Sequence, residues 1–169
     1  SGEECRYYYL SDTSKTFTGY GTFNQMQGSI PDCVYQLKNM KTLLLASNGF
    51  VGQLPEEISP TLRVLDVGHN MINGELTDSI TRGNLTEIYM TNNRITGTLD
   101  GFEENSIVEN DSESFFLNIT VNRLSGTVPA ALTKLPLGNV DILNGNTLEC
   151  STEAPLPLHD PFSDKYVCG

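Results

Sequence analysis

Apolar and polar positions keep one metre along most of this chain. Met40, Leu43 and Leu45 lead to Asn48, and Phe50, Gly52, Leu54 and Pro55 follow it. Leu62, Leu65 and Val67 lead to Asn70, followed by Ile72, Gly74 and Leu76. Leu85, Ile88 and Met90 lead to Asn93, followed by Ile95, Gly97 and Leu99. Leu117 and Ile119 lead to Asn122, followed by Leu124, Gly126, Val128 and Pro129. The apolar-x-apolar step is strand periodicity, so Leu43/Leu45, Leu65/Val67, Ile88/Met90 and Leu117/Ile119 are predicted on one side of short strands. The first unit is clear only after Asn24, in Met26, Gly28, Ile30 and Pro31. The last is worn: Leu143 and Leu148 flank Asn146, and Cys150 stands at the glycine position.

The six anchor asparagines are separated by 24, 22, 23, 29 and 24 residues. No unit of that length buries its own apolar face, whereas stacked units share a continuous core. The anchor asparagines are expected to turn inward, where their amides bond backbone groups of the adjoining bend. Glycine two residues past the next apolar position permits a tight bend. Pro55-Glu56-Glu57-Ile58 and Pro129-Ala130-Ala131-Leu132 are predicted as short helical or 3-10 turns, with proline placed in the first turn.

The frame L-x-x-L-x-L-x-x-N-x-L-x-G-x-L-P resembles the plant-type leucine-rich repeat, over roughly residues 17 to 150. The resemblance implies a leucine-rich repeat solenoid. It would be a curved right-handed superhelix with a parallel β-sheet on its concave face and 3-10 or short helical turns on the convex face. It implies one domain over 1–169: an N-terminal cap and first repeat at 1–38, central repeats at 39–148, and a C-terminal cap at 149–169. Thr77 and Asp100 stand where the family has proline. The fourth interval carries extra residues near 102–114, where Asp100, Glu103, Glu104, Glu109, Asp111 and Glu113 meet no Lys or Arg. A run of like charge of this kind is expected to be a solvated, mobile loop.

The 169 residues hold 21 acidic and 10 basic side chains, a formal charge of −11, which disfavours phosphate backbones and hence nucleic acid. No apolar run approaches the ~18 residues of a membrane helix, so no membrane insertion is expected within this chain. No charged-then-apolar leader opens the chain, so any signal peptide is expected to have been removed or to lie outside this sequence. Four cysteines sit at the ends: Cys5 with Cys33, and Cys150 with Cys168. Two local disulfides are the favoured reading over four free thiols, each contributing about 3 kcal/mol on the chain-entropy model. In such pairs the resemblance sees terminal caps, and disulfides point to an extracellular chain, secreted or displayed at the cell surface.

Little here points to catalysis. His69 and His159 are the two histidines, and neither lies in a nucleophile, phosphate-loop or metal-ligand motif. Glu56 and Glu57 are adjacent and do not face one another. We read a non-enzyme with no cofactor and no metal. Binding is the default use of a curved stack of repeats. Outward concave positions provide Leu44, Asp66, Tyr89, Thr91, Phe116 and Asn118 as candidate partner-binding residues, with Tyr89 and Phe116 as anchors. After each anchor a second outward row holds Ser29, Gln53, Glu75, Thr98 and Thr127.

Asn84, Asn110 and Asn118 open Asn-x-Ser/Thr sequons, and none of the anchors Asn24, Asn48, Asn70, Asn93, Asn122 or Asn146 does. The expected function is a recognition module for a protein, peptide or glycan. The alternative is a structural subunit of a glycosylated coat, matrix or filament, acting by self-association. By resemblance, such repeats serve receptor ectodomains, inhibitors of cell-wall-degrading enzymes and protist surface proteins. The absence of tryptophan sets the amino cap apart from the usual plant receptor cap.

Overall fold

The computed structural model describes residues 17–20, 26–150 and 155–168. Cys5 and Asn24 lie outside them. Among the described residues twelve short strands run in chain order: β1 (Phe17–Tyr20), β2 (Gln27–Ser29), β3 (Met40–Leu44), β4 (Gly49–Val51), β5 (Val64–Asp66), β6 (Asn73–Glu75), β7 (Glu87–Tyr89), β8 (Arg94–Thr96), β9 (Phe116–Asn118), β10 (Ser125–Thr127), β11 (Val140–Asp141) and β12 (Thr147–Glu149). Short helices stand between them: α1 (Asp32–Tyr35), α2 (Asp78–Thr81), α3 (Ser106–Asn110) and α4 (Ala130–Thr133).

The odd-numbered strands form one six-stranded parallel sheet in sequence order, the concave face of the solenoid. Its register aligns Leu43, Leu65, Ile88, Leu117 and Val140 in a single buried column. Leu45, Val67, Met90, Ile119 and Ile142 form the next buried column. The apolar-x-apolar steps of the sequence are these two columns, and they join one core.

The anchor asparagines sit at the bend that follows each concave strand and bond in one repeated way. Asn70 Oδ1 accepts the N–H of Phe50 from the preceding repeat at 3.1 Å. Its Nδ2 donates to the carbonyls of Leu45, Val67 and Gly68 at 3.1, 2.9 and 3.1 Å. Asn93 and Asn122 repeat this with Ile72 and Ile95 as donors, and Asn146 repeats it with Leu124. Each amide thus staples a bend: it pairs an N–H of the preceding repeat and shares carbonyl acceptors with its neighbours in the stack.

Beyond the bend, the even-numbered strands pair in parallel as β2 with β4, β6 with β8, and β10 with β12. Glycine is required here. Gly74 has φ +82°, and a Cβ on it would lie 2.9 Å from Gln53 Cγ of the preceding repeat. Ser29, Gln53, Glu75, Thr98 and Thr127 are all exposed beside this second ribbon.

Two expectations need correction. The segment 55–58 forms no helical turn, although α4 forms directly after Pro129. The Pro55 carbonyl is occupied by the hydroxyls of Thr77 and Ser79 from the next repeat. Ser59 donates its N–H to Tyr35 and precedes Pro60, which disfavours helical backbone. The acidic insertion, expected as a solvated, mobile loop, is instead folded onto the core. Phe102, Val108 and Phe115 are buried in the core, and the rings of Phe102 and Phe115 meet edge to face at 6.0 Å. Asn105 caps α3 by accepting from Ile107 and Val108, and its Nδ2 donates to the Thr81 carbonyl at 2.6 Å. Asp100, Glu103, Glu104, Asp111 and Glu113 are exposed on this unit while the apolar residues anchor it.

The C-terminal cap is closed by a disulfide between Cys150 and Cys168. Cys33 is also disulfide-bonded. No helix among the described residues is long and apolar enough to cross a membrane.

Candidate functional site

Strand alternation sends every second residue of the concave sheet outward. Register makes one outward row of Leu44, Asp66, Tyr89, Asn118 and Asp141, across five neighbouring strands. A parallel row holds Thr42, Val64, Glu87 and Phe116. All nine residues are half-buried. Tyr89 faces Asn118 directly and Phe116 diagonally, so the two candidate anchors share one patch. The Tyr89 hydroxyl donates to Glu87 Oε2 at 3.0 Å. Burial first, and then this bond to a carboxylate, push the Tyr89 phenol up to about 12. It stays protonated as a donor across the physiological range.

The other outward candidates differ in availability. Asp66 Oδ1 accepts the N–H of Gly68 at 3.0 Å, which fixes its carboxylate over the sheet. Thr91 is spoken for: its hydroxyl bonds the hydroxyl and carbonyl of Thr120 in the neighbouring strand segment. Asp141 completes the first row and was missed from the sequence, because the worn last repeat hid its frame. Val140 and Ile142, buried on either side of it, were the available signal. Burial, and then the charge of Asp160, raise the Asp141 carboxyl above the ordinary 3.8. His69 is exposed and its Nδ1 pairs with Asn92 Nδ2 at 3.2 Å. Among the described residues no group of three or more His, Cys, Asp or Glu is placed to hold a metal ion.

Comparison with known proteins sharpens the assignment. The Leucine Rich Repeat family matches residues 84–115. Receptor-like protein 43 of Arabidopsis thaliana is 34% identical over 120 residues, covering 70% of this chain and 13% of that protein. Receptor-like protein 35 of Arabidopsis thaliana is 43% identical over 77 residues, covering 44% of this chain and 8% of that protein. The plant peptide hormone receptor RGFR1, solved in complex with RGF2, superposes with a TM-score of 0.58 at 25% identity, over 73% of this chain and 19% of that one. Pollen Receptor Kinase 3 superposes at 0.59 and 25% identity, over 78% and 61%.

The chain is a leucine-rich repeat protein.

It spans between 8% and 19% of the length of the curated relatives it matches first. Although its sequence holds no tryptophan, this leucine-rich repeat protein resembles plant receptor-like proteins. Its three sequons occupy different surroundings. Asn84 is exposed at the turn into β7, and its Nδ2 reaches the Pro60 carbonyl at 3.4 Å. Asn110 is exposed at the end of α3 and donates to the Ser106 carbonyl at 2.8 Å. Asn118 stands in the concave row, with its Oδ1 accepting from the Thr120 hydroxyl at 3.2 Å.

Proposed function

We propose that this chain is a non-catalytic recognition module of an extracellular protein, and that its concave sheet takes a peptide or a peptide-like segment of a partner protein. The observation that carries this reading is the Tyr89–Phe116 patch within two in-register rows of outward side chains. A few side chains dominate interface energies once a partner desolvates them, and tyrosine is enriched among them. Likeness to a plant peptide hormone receptor solved with RGF2 supports the peptide class. Disulfides in both terminal regions support an oxidising compartment.

Asn84 and Asn110 fit as glycan carriers, because a sugar on either leaves the concave rows open. A glycan on Asn118 would cover Tyr89 and Phe116, so we infer that the binding-competent form has Asn118 bare. Glycopeptide mass spectrometry on ligand-bound and unbound fractions tests this; full occupancy of Asn118 in the bound fraction rejects it.

Peptides selected from a displayed library on the immobilised chain should compete with one another. They should lose at least tenfold in affinity on Tyr89→Ala or Phe116→Ala. Selected peptides indifferent to both substitutions would place recognition elsewhere. Size-exclusion chromatography with light scattering addresses self-association: a concentration-independent monomer is expected, and a ladder of oligomers would favour the structural-subunit reading.

A further inference from the structure

The concave rows carry charge of one sign. Asp66, Glu87 and Asp141 face outward from β5, β7 and β11, and none of them joins an ion pair among the described residues, where Arg82 pairs with Asp78 and Glu104 on the other side of the coil. Lys41 and Arg63 precede the outward rows at the leading edge of the sheet, and Arg63 Nη1 is held by the carbonyls of Pro60 and Leu62. Two of the acidic side chains bracket the aromatic patch and the third lies within it: Asp66 is on its N-terminal side, Glu87 stands opposite Phe116 and accepts from Tyr89, and Asp141 lies beyond Asn118 on its C-terminal side.

We propose that this face binds an extended peptide carrying two basic side chains four residues apart, with an apolar side chain midway between them. The proposal rests on the recognition reading above and names the ligand class for that same surface. Charge complementarity selects the basic residues: the face is acidic, unpaired and part of a chain of net charge −11. Geometry selects the spacing. Asp66 and Asp141 are separated by three strand-to-strand steps, about 14 Å at about 4.8 Å per step. An extended peptide laid across the strands advances about 3.3 Å per residue, so about four residues span that distance. Its side chains alternate, so the first, third and fifth face the sheet. The first and fifth meet carboxylates, and the third meets Tyr89 and Phe116. Asp141 gives a further reason. It sits close to the Asp160 charge with no hydrogen-bond donor to its carboxylate among the described residues, so an incoming cation relieves a repulsion built into the free fold.

The test is fluorescence anisotropy of the intact chain, produced without N-glycans, against end-blocked peptides of sequence Gly-Lys-Thr-Leu-Thr-Lys-Gly. Companion peptides replace both lysines by glutamine or by glutamate, or bring the lysines to a spacing of two. The lysine peptide should bind tightest, and its affinity should fall as salt is added. Asp66→Asn and Asp141→Asn should each weaken it about three- to fivefold at low salt, and the close-spaced peptide should lose a similar factor. Equal binding of the lysine and glutamine peptides, or unchanged binding by both aspartate variants, overturns the charge assignment. If in that case Tyr89→Ala still abolishes binding, the concave-face reading survives alone. If the lysine peptide ignores Tyr89→Ala and Phe116→Ala as well, both readings fail.

Discussion

Asp160 of the C-terminal cap accepts the backbone N–H of Ile142 at 2.7 Å, just beyond the last strand of the concave sheet. Its Oδ2 also accepts from Leu143 and its Oδ1 from Phe162. At the equivalent positions Leu45, Val67, Met90 and Ile119 a carbonyl of the next strand accepts the N–H; for Ile142 one buried carboxylate does, at 3% exposure. It ends the stack by satisfying the edge that would otherwise be an open template for pairing. Asp160→Ala leaves these donors unpaired in a buried place and should cost about 2–4 kcal/mol, read as a lower urea midpoint. Asp160→Asn keeps an acceptor and should cost less. Equal midpoints for wild type and Asp160→Ala would show that the cap closes the stack by other means.

The same carboxylate disfavours its neighbour. Burial and the Asp160 charge raise the Asp141 carboxyl above 3.8, so the folded chain holds that proton more tightly than the unfolded chain. The resulting contribution to stability is complete below the ordinary carboxyl range and is lost as pH rises through the raised value. Asp141→Asn should therefore be more stable than wild type at pH 7, with the gap closing in acid. Urea titrations over a pH series measure this, and a gap that widens in acid would reverse the sign. Retaining a carboxylate that weakens the fold agrees with its use in binding, where stability is traded for function.

The sequence made the architecture readable because one period repeats in register. The buried columns through Leu65 and Val67, and the bends at Asn70 and Gly74, follow from spacing alone. The insertion was unreadable for the converse reason. It belongs to no period, and its acids outnumber and surround Phe102, Val108 and Phe115. Asn105 followed by Ser106, Ile107 and Val108 carried a helix-start signal that the charge run obscured. Asp160 had no counterpart in any repeat to announce its role. On the concave face, alternation identified Tyr89 and Phe116 as outward, but the bond that ties up Thr91 depends on Thr120, 29 residues away in sequence.

The asparagine ladder couples each repeat to the one before it, so its loss should be felt in proportion to burial. Asn70 makes four backbone bonds and is buried, whereas Asn93 is half-buried. Asn70→Ala should cost about 2 kcal/mol, since the buried Phe50 N–H loses its acceptor, while the carbonyls of Leu45, Val67 and Gly68 each lose one of two donors. Asn70→Asp retains the acceptor but no donor, and should cost nearly as much at neutral pH. Asn93→Ala should cost less than Asn70→Ala. Thermal or urea unfolding ranks the three, and a larger loss at Asn93 would contradict control by burial.

The residue before each anchor asparagine among the described residues adopts left-handed backbone: Ser47, His69, Asn92, Val121 and Gly145 occupy that place with φ from +52° to +73°. Serine, histidine, asparagine and glycine tolerate it better than a β-branched residue does. Val121, at φ +52° and 44% exposed, holds this conformation with little burial in return. Val121→Asn should therefore raise stability by about 1 kcal/mol. Its neighbour in the column has no such freedom. A Cβ on Gly145 would lie 2.8 Å from the Val121 Cα, a backbone atom that cannot yield, so Gly145→Ala should destabilise the last repeat whether or not Val121 is replaced. Calorimetric midpoints of the two single variants and the double variant test both statements. A stabilised Gly145→Ala, or a Val121→Asn below wild type, would mean that the bend relaxes in solution to a different backbone.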